Sequence, residues 1–79
     1  MEPANIEMNT ASLQFVTFCI GQVSRRLDLS QSVVYRMLKD SGILYEYIIP
    51  SYDVLHTFGS HYLTDDIIDY MREKGVIGV

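Results

Sequence analysis

The 79-residue sequence predicts an all-α protein, a small bundle of four to five short helices around a single core. Three observations predict it. Apolar residues recur at spacings of three and four along most of the chain. Serine, threonine and glycine fall where helices of ordinary length would start and stop. A chain this short buries only a little over half of its unfolded surface, so it builds one core.

Residues 1–8 show no apolar period and contain Pro3 and Asn5, which predicts a flexible arm ahead of a single helical domain at residues 9–79. From a cap at Asn9 or Thr10, the residues Leu13, Val16, Ile20, Val23 and Leu27 form one face of a first helix. Phe15, Phe18 and Cys19 widen that face, as expected of a helix set into a core. The sequence Asp28-Leu29-Ser30 breaks this helix. Ser30 caps a second helix, Leu29 is placed to pack on Val34 as a staple, and Val33, Val34, Met37 and Leu38 form the buried side. Gly42 then supplies the left-handed residue that ends the helix.

Ile43 to Ile49 reads as a third helix from the spacing of Leu44, Tyr47 and Ile48, although its β-branched and aromatic residues also suit a strand. Pro50 disfavours helical geometry at Ile49 and predicts a boundary or kink there. Tyr52 to Thr57 forms a further turn or short helix that ends before Gly59. Thr64 caps the last helix, with Asp65 and Asp66 in its first turn and Arg72 and Lys74 in its last, complementing the helix dipole. Leu63, Ile67, Ile68 and Met71 face inward, Gly75 closes the helix, and the apolar tail Val76-Ile77-Gly78-Val79 docks.

With 48% hydrophobic residues the chain is too apolar to remain disordered. For so small a protein that fraction also predicts burial between subunits, so a homo-oligomer or a protein partner is expected. Cys19 is the only cysteine, which excludes an internal disulfide framework and suits a reducing cytoplasm. The N-terminus is acidic where a secretory signal is basic, and no apolar run reaches about 20 residues, so neither export nor a membrane role is expected.

Net charge is −4, unevenly spread. Between Ser24 and Lys39, four cations (Arg25, Arg26, Arg36, Lys39) stand against Asp28, a net +3; elsewhere nine acids against Arg72 and Lys74 leave −7. The basic stretch, residues 23–39, looks like a helix-turn-helix, with Gln31, Ser32, Tyr35, Arg36 and Lys39 as the residues that would contact DNA. Three features weigh against it. Asp28 stands where glycine is usual, the first helix starts well before Val23, and the whole chain is acidic. Paired amphipathic helices mimic the pattern, so nucleic-acid binding is the less favoured reading.

Nothing in the residues calls for a cofactor, a metal or catalysis. Asp53, His56 and His61 lack a convincing further ligand, and a histidine beside Leu55 is better read as packed and bonded to backbone. Cys19 lies on the apolar stripe, where a thiol is inert, rather than beside a base. Asp65, Asp66 and Asp69 read as helix-start charge and a solvated face. No phosphate loop or nucleophile elbow is visible. Six tyrosines, at 35, 45, 47, 52, 62 and 70, offer contact surface or ordinary packing.

The run from Gly42 to Thr57, followed by Gly59, Tyr62 and Asp66-Ile67, resembles the small bacterial proteins of the domain of unknown function 3791 family. The similarity extends over the Phe15 to Cys19 helix and Val34-Tyr35, from about Phe15 to about Met71. Its pattern Tyr-x-Val-Leu-His-Thr-x-Gly is complete as Tyr52, Val54, Leu55, His56, Thr57 and Gly59, while Pro50 departs from it. The resemblance carries no catalytic role to any residue. It implies a small binding partner, or antitoxin, of a neighbouring toxin-like or ADP-ribosyltransferase-like protein. Physically, the motif has two readings: His56 fixes the turn while Val54 and Leu55 pack inward, or Tyr52, His56 and Tyr62 form an exposed recognition patch.

Overall fold

The computed structural model describes residues 10–78, and the expected arm at residues 1–8 and Asn9 as a cap lie outside the described residues. Five helical elements follow in order: α1 (Thr10–Leu27), α2 (Gln31–Asp40), α3 (Leu44–Ile48), α4 (Tyr52–Leu55) and α5 (Ser60–Glu73), with no strand among the described residues. α1 packs against α2 and α5, and α2 against α3. Every helix contributes to one buried apolar cluster.

In α1, Val16, Cys19, Ile20 and Val23 are buried at helical spacing, and Leu27 is partly buried. Leu13 lies on the same side but is 52% exposed, because the first turns of α1 outrun the core. Phe18 is also exposed, since it stands two residues from both Val16 and Ile20 and so points away from them.

α2 starts as its sequence predicts. The Ser30 hydroxyl accepts the Val33 N–H at 3.2 Å, and Gly42, at φ 87°, takes the left-handed residue after the helix. A Cβ on Gly42 would also come within 2.8 Å of the Glu46 carboxylate. Val34 and Leu38 are buried and Met37 partly so, but Val33 is 38% exposed and does not join the buried side. Val34 is buried while Leu29, expected to staple onto it, is 39% exposed.

α3 is helical as expected, but wound more widely than an α-helix. The Ile49 N–H donates to the Leu44 carbonyl five residues back, at 3.0 Å. Pro50 accounts for this winding, since a tighter turn would set its ring against the Glu46 carbonyl. Ile49 keeps helical angles (φ −70°, ψ −49°) but stands as the cap just past Ile48, the last residue of α3, so the helix ends where Pro50 places its boundary.

The start of α5 differs from expectation. Gly59 occupies the cap position, and Thr64 lies inside the helix, buried, with its hydroxyl donating to the Ser60 carbonyl at 2.7 Å. Asp65 and Asp66 therefore stand beyond the first turn, where they bond to Arg26 and Tyr47 instead of serving the helix dipole. At the other end Gly75 closes the helix as expected, with Arg72 in the last turn and Lys74 just past it, while Val79 lies outside the described residues. Gly75 (φ 75°) lets its own N–H reach Arg72 O at 3.0 Å and the Val76 N–H reach Met71 O at 2.9 Å, and Val76 and Ile77 pack on the core.

Candidate functional site

Two regions hold the sequence candidates, and the first is the α1–α2 corner. Asp28 adopts φ 59°, the conformation glycine usually supplies, and the Leu29 N–H closes the end of α1 onto Ser24 O at 3.0 Å. Val23 and Ser24 are buried under this turn, with the Ser24 hydroxyl donating to Gly21 O at 2.9 Å. The Ser30 cap then sets the direction of α2, which buries Val34 and Leu38 and turns Gln31, Ser32, Tyr35, Arg36 and Lys39 to solvent. Side chains of Arg25 and Gln31 lie over Gly21, within 4.0 Å of where a Cβ would be. Beside them Thr17, Ile20, Gln31, Ser32 and Tyr35 line a shallow depression. The Lys39 ammonium sits 5.9 Å from the centre of the Tyr35 ring.

The second region is the Tyr52 to Gly59 motif, which joins α3 to α5. Leu55 is buried and anchors α4 in the core, but Val54 is 59% exposed, so only one of the pair expected inside packs there. The Tyr52 ring meets the edge of Phe15 at 5.3 Å and stacks on His56 at 4.6 Å. His56 Nδ1 lies 2.7 Å from Tyr52 O, a contact that places the ring hydrogen on Nδ1 because a carbonyl only accepts. Thr57 donates its hydroxyl to Val54 O at 2.7 Å. His56 and Thr57 thus satisfy the motif's own backbone. Gly59 is extended (φ −64°, ψ 151°), with open space where a Cβ would go, so neither sterics nor a positive φ demands glycine.

Tyr62 meets Phe58 at 5.0 Å and is 62% exposed, while Tyr52 and His56 pair with each other. Asp53, His56 and His61 are all exposed, and the described residues contain no group of three or more His, Cys, Asp or Glu that could hold a metal ion.

Cys19 is buried, and that burial pushes its thiol up to about 12, where it stays protonated and unreactive. A pairing the sequence did not reveal joins α3 to α5. The Tyr47 hydroxyl donates to the Asp66 carboxylate, and Tyr47 is pushed up to about 12 by burial first and by that bond second. Its ring meets Tyr70 edge-on at 4.7 Å, and Asp69 and Glu73 line the same depression. The partners are 19 positions apart, so no local pattern signals them. At the far end of α1, the hydrogen bond from Arg26 holds the Asp65 carboxyl below the usual range. Two further ion pairs join Arg72 to Asp69 at 3.4 Å and Lys74 to Glu46 at 3.6 Å.

A family model described as "Protein of unknown function (DUF3791)" matches residues 14–74. The chain belongs to that family, and the match spans the α1–α2 corner and the whole Tyr52 to Gly59 motif. No curated protein and no solved structure matches the chain. None of its described helices is long and apolar enough to cross a membrane.

Proposed function

We propose that this chain is a non-enzymatic protein-interaction module of the cytoplasm, pairing with a second copy or with another protein. The observation that carries the reading is the apolar surface. Leu13, Tyr45, Val54 and Tyr62 are each at least half exposed, on a domain whose core is otherwise closed. Tyrosine and large aliphatic side chains in that state are what protein interfaces recruit, because they bury much area at little cost in conformational freedom. Leu13 continues the buried stripe of α1 past the edge of the core, so a partner laid along α1 would extend the core rather than found a new one.

A binding role also suits the chemistry of the polar groups. The motif histidine bonds its own backbone, the cysteine is buried as a thiol, and the Arg26–Asp65 and Tyr47–Asp66 contacts join helices. The family resemblance adds the product of an adjacent toxin-like gene as a hetero-partner. Light scattering on a concentration series, with and without that co-expressed neighbour, tests the reading. A dimer or a stable complex is expected, weakened by Leu13→Ser. A monomer throughout, with no complex, overturns it.

A further inference from the structure

We propose a second function, that the α1–α2 corner binds double-stranded DNA, with α2 entering the major groove. The first observation is the turn. The objection that Asp28 occupies a glycine position loses its force, since Asp28 holds φ 59° and the Leu29 N–H closes onto Ser24 O as a glycine-containing turn would allow. The short connection Asp28-Leu29-Ser30 then delivers a serine-capped helix whose inner side is buried on α1.

The second observation is the commitment of charge. The chain has six cations, and three of them are neutralised: Arg26 by Asp65, Arg72 by Asp69 and Lys74 by Glu46. The other three, Arg25, Arg36 and Lys39, have no carboxylate partner among the described residues; Arg25 lies near the end of α1, and Arg36 and Lys39 on the exposed side of α2, with the exposed acids Asp28 and Asp40 at its two ends. An acidic protein that pairs its cations everywhere except along α2 and the end of α1 presents that region selectively to a polyanion.

Dimensions agree. From Gln31 to Lys39 the exposed residues Gln31, Tyr35 and Lys39 recur every four positions along about 12 Å of helix, close to the width of the B-DNA major groove. Gln31 and Ser32 at the N-terminal end provide donors and acceptors for base edges. Arg25, Arg36 and Lys39 reach phosphates.

The test is fluorescence anisotropy with a labelled mixed-sequence duplex between about 0.05 M and about 0.2 M salt. Three phosphate contacts predict a log–log salt slope of about −2.7 per protomer, a loss in affinity of about forty-fold over that range. In the triple variant Arg25→Ala, Arg36→Ala, Lys39→Ala the binding and its slope are expected to vanish, while the circular dichroism melt stays that of the wild type. Either no binding by the wild type at low salt or unchanged binding by the folded triple variant overturns the proposal. It also falls if the wild type ignores DNA and the triple variant loses association with a second copy, which would make the corner a protein contact.

Discussion

Asp28 is a residue whose backbone conflicts with its side chain. Its φ of 59° costs an ordinary L-residue about 1–2 kcal/mol, and less for aspartate, whose short side chain tolerates the conformation. Asp28→Gly is therefore expected to stabilise the fold by about 0.5–1 kcal/mol, read as a higher urea midpoint at unchanged slope. A lower midpoint would mean that the carboxylate contributes more than its conformation costs. Tyr47 makes a prediction in pH. Its folded value, raised to about 12 from 10.0, favours the protonated phenol in the native state. That contribution is fully present below pH 10 and is lost as pH rises toward 12. Alkaline titration of Tyr47→Phe should show a shallower loss of stability in that window than the wild type, and identical curves would remove Tyr47 as its cause.

Among the elements, what was legible from sequence is what local chemistry decides. Ser30, Gly42 and Gly75 were each readable as helix ends, because a hydroxyl capping an N–H or a residue at positive φ acts within four positions of chain. Ser30→Ala accordingly should cost about 1 kcal/mol in equilibrium unfolding, and a cost near zero would show that water replaces the cap. Thr64 misled for the same local reason. A threonine before two aspartates looks like a helix start, yet its hydroxyl returns to Ser60 O within α5, and the aspartates are held by Arg26 and Tyr47 from other helices. The wide winding of α3 was equally hidden. Pro50 marked the end of α3 at Ile49, but not that the turn before it lengthens by one residue while Ile48 stays buried. For the candidate site, the outward positions of α2 followed from its period, but which cations were already neutralised depended on tertiary pairings such as Lys74 with Glu46 across 28 positions.

At the scale of the whole molecule, helical class and a single core follow from the apolar periods, but exposure does not. Leu13, Val33 and Val54 have the residue types of core positions and stand in solvent, because burial depends on where α1, α2 and α4 run past their neighbours. What remains inside is one cluster joined across all five helices, with Leu38, Ile48, Ile67 and Met71 fully buried. A domain of this size has a total stability of about 4–12 kcal/mol. Leu38→Ala, which opens a cavity between α2 and the cluster, is expected to remove about 2–5 kcal/mol, a large share of it. Because no second cluster exists among the described residues to unfold separately, the loss should appear identically in far-ultraviolet circular dichroism and in tyrosine fluorescence, with coincident transitions. If the tyrosine signal of the variant melted ahead of its helical signal, α3 to α5, which carry five of the six tyrosines, would be an independent unit, and the single core inferred from length and periodicity would be wrong.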